Sequence, residues 1–156
     1  MTVTILIHCP DQAGIIRAGA KMVNAMSNSV VPKIVLITGS SYGAGNYAMC
    51  GRAYGARFFY AWPSASIAVM GAQQASETLL SIQLKNRGDE VSEEERADLL
   101  SRIQARYDAA MDPRYAAARL WVDEIIDPAA TRLWLSTSIE MADHNPEIPP
   151  FNPGVI

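Results

Sequence analysis

At 156 residues, with 49% hydrophobic and 19% charged side chains, the chain has the length and composition of one globular domain with a substantial core. A net charge of −3 and a pI near 5.3 carry no cationic footprint for nucleic acid. No apolar run approaches the roughly 18 residues that a membrane-spanning helix needs.

In chain order, residues 2–8 alternate β-branched and apolar side chains before Pro10-Asp11. With no basic n-region, they read as a short strand and turn rather than a secretory signal. Gly14–Asn28 places Ile15, Met22, Val23 and Met26 on one helical face. Arg17, Lys21, Asn24 and Asn28 lie opposite, and Arg17 and Lys21 read as a solvated face. Val30-Val31-Pro32 ends that helix. Lys33–Thr38 is a continuous apolar run that predicts a central strand buried on both faces, Ile34–Thr38. Gly39–Gly45 follows as a tight small-residue loop, and Asn46–Gly51 returns to helix. Phe58–Trp62 and Ser66–Met70 read as strands around Pro63, and Gly71–Leu84 as a helix. Ser92 and Glu95 form a capping box for a helix reaching Ala110, with Glu93–Glu95 favourable at its positive end. Leu99, Leu100, Ile103 and Tyr107 form its apolar face. Asp112-Pro113 and Asp127-Pro128 each read as an N-cap followed by proline at the first helical position. The helix after Pro128 carries Leu133, Trp134, Thr137 and Met141 at helical spacing. After Asp143 the prolines at 146, 149, 150 and 153 rule out a regular helix and leave an extended arm. This order predicts a single α/β domain with a mainly parallel sheet.

Conventional catalytic sets are missing from the sequence. His8 and His144 lie far apart, and Cys9 and Cys50 form no CxxC pattern, so no metal site is expected and both thiols are expected to be reduced. There is no Ser/His/Asp set or paired-carboxylate pattern. The informative stretch is Tyr42-Gly43-Ala44-Gly45-Asn46-Tyr47, between a strand and a helix. Glycine admits a sharp turn and a close ligand. The first N–H groups of a helix lack internal partners and carry the positive end of its dipole. Ala44 and Gly45 are therefore placed to aim two N–H groups into a concave surface, at one enolate or oxyanion oxygen. A plain tight connection is the simplest alternative. A phosphate loop is a second, although the stretch lacks a Gly-Lys-Ser/Thr ending and GxGxxG spacing. Chemistry of this electrostatic kind requires the reactive group to come with substrate or cofactor.

Several motifs then align in order and spacing: Gly14–Met22, Val31–Lys33, Ser41–Tyr47, Met49–Tyr54, Tyr60–Pro63, Ile67–Gly71 with Gln74-Ala75, Tyr115–Trp121 and Asp123–Pro128. Together they resemble the C-terminal domain of carboxyltransferase β-subunits of biotin-dependent acyl-CoA carboxylases. The wording is nearest the methylcrotonyl-CoA and geranyl-CoA branch. The resemblance divides the chain into an atypical start at 1–13, a carboxyltransferase C-terminal domain at 14–142 and a proline-rich arm at 143–156. It implies a crotonase-like (ClpP/crotonase) fold of ββα turns, and carboxyl transfer from carboxybiotin to an acyl-CoA such as methylcrotonyl-CoA. It also implies an oxyanion hole in this domain for the ureido oxygen of biotin, whose freed ring nitrogen serves as base. On that reading Ala44 and Gly45 supply the N–H groups and Gly43 shapes the turn, while Tyr42, Asn46 and Tyr47 contact the cofactor. Phe58, Phe59, Tyr60 and Trp62 read as core rather than a biotin-stacking surface, and Arg52 as half of an ion pair or part of a subunit contact. The propionyl-CoA branch has an aspartate where Tyr47 stands, so its substrate is disfavoured. Residues 1–12 depart from the family pattern, and the N-terminal domain with the acyl-CoA half-site lies outside this sequence. The chain is therefore expected to hold the biotin half-site and to be incomplete alone. Implied partners are a biotin carboxylase/biotin carrier α-subunit, acyl-CoA and further copies of the chain, with no nucleic acid and no membrane. The implied compartment is the cytoplasm, or the mitochondrial matrix in a eukaryote. A crotonase-fold hydratase or decarboxylase would need a carboxylate near the loop, and none is evident; an inactive oligomerisation domain is the non-enzyme alternative.

Overall fold

The computed structural model describes residues 14–87, 92–145 and 147. The expected strand at residues 2–8, together with His8, Cys9 and most of the proline-rich arm, falls outside these residues. Gly14, with φ 79°, opens helix α1 (Ile15–Asn28). Val23 and Met26 are half-buried on its inner side and Met26 packs on the core, while Arg17, Lys21 and Asn24 are exposed. At its far end Lys33 Nζ donates to the carbonyls of Met26 and Ser29, each at 3.1 Å. That places a cation on the negative end of the helix dipole.

Two ββα units follow. The first is β1 (Ile34–Ile37), β2 (Ser40–Tyr42) and α2 (Gly43–Ala48); the second is β3 (Phe58–Ala61), β4 (Ser66–Ala68) and α3 (Ala72–Arg87). Like strands stack on like in parallel: Ile34–Ile37 pair with Phe58–Ala61, and Ser40–Tyr42 with Ser66–Ala68. Helix α4 (Glu93–Met111) packs on α3, and α5 (Pro113–Ala117) leads into β5 (Glu124–Ile125). The latter pairs in parallel with Tyr60-Ala61. A short 3₁₀ turn, Pro128–Ala130, enters α6 (Thr131–Asp143). This is the ββα arrangement that a crotonase-like fold requires.

The three expected caps are present. Ser92 Oγ accepts from Glu95 N while Glu95 reaches back to Ser92 N; Asp112 accepts from Arg114 N and Asp127 from Ala129 N. The core joins Val35, Ile37, Cys50, Phe59, Ala61, Ala65, Ala116 and Val122.

Three expectations are corrected. The central strand is β3, not Ile34–Thr38. In the order β1-β3-β5, β3 alone has a described neighbour on both sides, and Phe59, Tyr60 and Ala61 are all buried. In β1 only Val35 and Ile37 are buried, the alternation of a strand with one face on the core. Gly39–Gly45 is not one loop either: Ser40–Tyr42 is a strand held by β4, and the helix begins at Gly43, three residues before Asn46. On α6 the buried residues are Ser138 and Ala142, while Leu133 is 68% and Met141 49% exposed. Tyr60 of β3, and Trp62 just beyond it, reach this helix. Tyr60 Oη and Ser138 Oγ are 2.7 Å apart, and Trp62 Nε1 donates to Thr131 Oγ1 at 3.0 Å.

Candidate functional site

The site is built where β2 becomes α2. Tyr42 is the extended N-cap, and its hydroxyl lies 3.0 Å from Ser66 Oγ on β4. Because Tyr42 is in register with Ala68, the next residue, Gly43, lies beside Val69. Gly43 has φ +52°, and a Cβ there would stand 2.7 Å from the Val69 carbonyl oxygen. Both the conformation and the space therefore demand glycine.

Ala44 and Gly45 come next and are exposed. Their N–H groups lie in the first turn, where no carbonyl four residues back closes a helical bond. Among the described residues, neither donates to a carbonyl outside the regular elements or to a side chain. Asn46 is half-buried; Tyr47 is half-exposed, its ring edge-on to Tyr54 at 5.9 Å. The six residues singled out in sequence form one continuous turn. Grooves run between α3 and α4, lined by Leu80, Leu84, Lys85, Arg96 and Leu100, and beside α6. Neither reaches residues 42–47.

The far end of α2 is anchored in the core. Cys50, with φ 74°, is 2% exposed, and burial pushes its thiol up from the ordinary value despite the opposing charge of Lys33. Arg52 then closes an ion pair at 2.7 Å with Asp123. The same carboxylate accepts from Phe59 N at 2.8 Å, and Asp123 N donates to Phe59 O at 2.8 Å. The hydrogen bond from Arg52 holds the Asp123 carboxyl below its ordinary value; burial opposes it with a smaller effect, and the bond from Phe59 N adds a smaller lowering still. Asp123 had no local signal as a partner, since the pairing that delivers it spans 64 positions. Tyr107 was expected only as apolar packing. Its hydroxyl instead accepts from Met70 N at 3.3 Å and donates to Met70 O at 2.9 Å.

Among the described residues, no group of three or more His, Cys, Asp or Glu is placed to hold a metal ion. No described helix is long and apolar enough to cross a membrane.

Comparison with known proteins places this geometry in context. The family described as the carboxyl transferase domain matches residues 10–155, reaching past both ends of the 14–142 segment. Over 135 residues the chain is 50% identical to the probable mitochondrial methylcrotonoyl-CoA carboxylase beta chain of Drosophila melanogaster, covering 85% of this chain and 23% of that protein. It is 44% identical over 139 residues to the biotin-dependent 3-methylcrotonyl-coenzyme A carboxylase beta1 subunit of Mycobacterium tuberculosis, covering 87% of this chain and 26% of that protein. It also superposes on the transcarboxylase 12S crystal structure, a hexamer described with methylmalonyl-coenzyme A and methylmalonic acid bound. The TM-score is 0.80 at 35% identity, over 97% of this chain and 28% of that one. The chain thus spans about a quarter of the length of the curated relatives it matches.

Proposed function

The chain belongs to the carboxyl transferase domain family, and on that premise we propose that it forms the biotin half-site of a biotin-dependent acyl-CoA carboxylase. The observation that carries the reading is the pair of exposed first-turn residues Ala44 and Gly45, set beside a glycine that a Cβ could not replace. The residues fit the group. Two neutral donors with no cation between them suit the oxygen of a flat, uncharged urea, whereas a phosphate would call for lysine or arginine at the turn.

Carboxybiotin, when bound, would supply both the carboxyl group and the ring nitrogen that acts as base. This chain's part is electrostatic. Ala44 N–H and Gly45 N–H donate to the ureido oxygen and stabilise negative charge as it grows there, each such donor typically contributing about 3 kcal/mol. Gly43 keeps the backbone bare so that the ring can approach. Tyr42, fixed through Ser66, and Asn46 and Tyr47 border the ring. With tyrosine rather than aspartate at 47, the acyl substrate is of the methylcrotonyl type, and its pocket is completed by the N-terminal half of the enzyme. The partners are an α-subunit carrying biotin and further copies of the β-subunit; the compartment is cytoplasm, or mitochondrial matrix in a eukaryote.

The test is carboxylation of methylcrotonyl-CoA by this chain supplied with a carboxyltransferase N-terminal half and a biotinylated α-subunit. Gly45→Pro, which removes one donor, is expected to lower turnover by about a hundredfold or more. Near-normal turnover in that variant would overturn the donor assignment. Amide shifts at Gly43–Gly45 on adding acyl-CoA, with none on adding biotin, would overturn the choice of ligand.

A further inference from the structure

We propose that Tyr107 is a positioning residue for the Gly43–Gly45 turn, acting through the Val69–Met70 peptide; the proposal rests on the half-site reading above. A peptide unit is planar, with its C=O and N–H pointing in opposite directions. The Val69 carbonyl and the Met70 N–H belong to one such unit. On one edge, Tyr107 Oη accepts from Met70 N at 3.3 Å, and it also donates to Met70 O at 2.9 Å. On the other edge, the Val69 oxygen stands so close to Gly43 that a Cβ there would lie 2.7 Å away. One hydroxyl therefore fixes the tilt of the plane whose far oxygen shapes the glycine turn.

Among the described residues, no other side chain hydrogen-bonds that plane. The Val69 side chain is 76% exposed, and β4 has ended at Ala68. Tyr107 comes from α4, an element otherwise remote from the turn. Its ring is half-buried on the apolar face of α4, so the hydroxyl is carried on a packed base. If it is lost, water can satisfy the Met70 groups but cannot hold the plane at one angle. The Ala44 and Gly45 N–H groups would then sample a wider range of directions, and a ligand needing both at once would bind less well.

The experiment uses the whole chain, ¹⁵N-labelled, as wild type, Tyr107→Phe and Ile103→Ala, each titrated with biotin. Tyr107→Phe keeps the ring and removes only the hydroxyl. It is expected to shift the Gly43, Ala44 and Gly45 amide resonances and to weaken biotin binding by about threefold to tenfold, the scale of one net hydrogen bond. Ile103→Ala trims the same helix face but keeps the hydroxyl, and is expected to leave those three amides in place. Unmoved amides in Tyr107→Phe, or equal displacement in Ile103→Ala, would overturn the proposal. If biotin leaves the wild-type turn unshifted, the half-site reading falls instead, and the amide shifts of the two variants still decide the positioning role.

Discussion

Replacing Gly43 by alanine separates backbone strain from steric overlap, because the chain contains matched controls. At φ +52° an L side chain costs about 1–2 kcal/mol from the left-handed conformation alone. The new Cβ would also lie 2.7 Å from the Val69 oxygen, a backbone atom that cannot rotate away. Overlap of that kind in a packed place adds about 1–3 kcal/mol. Gly55 has φ +67° but nothing within 4 Å, so Gly55→Ala carries the strain without the overlap. Gly45 has neither a left-handed φ nor a close neighbour, so Gly45→Ala is expected to stabilise by about 0.5–1 kcal/mol through a less flexible unfolded chain. The expected order of stability is therefore Gly45→Ala, wild type, Gly55→Ala, Gly43→Ala, the last about 2–5 kcal/mol below wild type. Urea unfolding followed by circular dichroism, with a shared slope, reads the series; in heat each kcal/mol moves the midpoint by about 2–4 °C at this size. A Gly43→Ala variant no less stable than Gly55→Ala would refute the close approach of Val69, and with it the geometry of the turn.

Two further predictions concern ionisable groups. Asp123 is held below its ordinary value in the fold, so its contribution is present above the unfolded carboxylate pKa of about 4 and is lost as pH falls through the lower, folded value. Asp123→Asn should cost about 1 kcal/mol at pH 7, the scale of a partly exposed pair, and should flatten the acid limb of the stability curve; an unchanged limb would refute it. In a Cys9→Ser background, Cys50 should react with a thiol reagent only as the fold opens, since it is 2% exposed and its thiol is raised by burial. Labelling as fast as that of a free thiol would refute its placement in the core.

What could be read in sequence was mostly what is local. The caps at Ser92, Asp112 and Asp127 depend on residues two or three positions away, and all three are present in the structure. The glycine turn that opens α2 was legible for the same reason. The central strand was not, because Ile34–Ile37 and Phe58–Ala61 are both apolar runs, and only pairing with Glu124-Ile125 decides which has two neighbours. Ser40–Tyr42 has no apolar pattern and is a strand because β4 lies beside it. The inward face of α6 escaped because Ser138 and Ala142 are small and weakly apolar, and Ser138 is there to bond Tyr60 rather than to bury area. At the site, the position of the glycine turn was legible but not what shapes it. The Val69 oxygen is backbone, and the Tyr107 hydroxyl sits on a ring whose spacing signals only packing.

The stacking of like strand on like also bears on the order in which the chain folds. Ile34 meets Phe58 across 24 positions and Ser40 meets Ser66 across 26, whereas Tyr60 must wait for Glu124, 64 positions on. Loop-closure entropy grows with the logarithm of length, which makes the longer closure dearer by about 0.9 kcal/mol. Both short closures lie within residues 34–68, the stretch that contains the glycine turn. The turn should accordingly acquire its shape with the first strands to pair, before α5 and β5 dock, and pulse-labelled amides of β1 and β3 should gain protection ahead of those of β5.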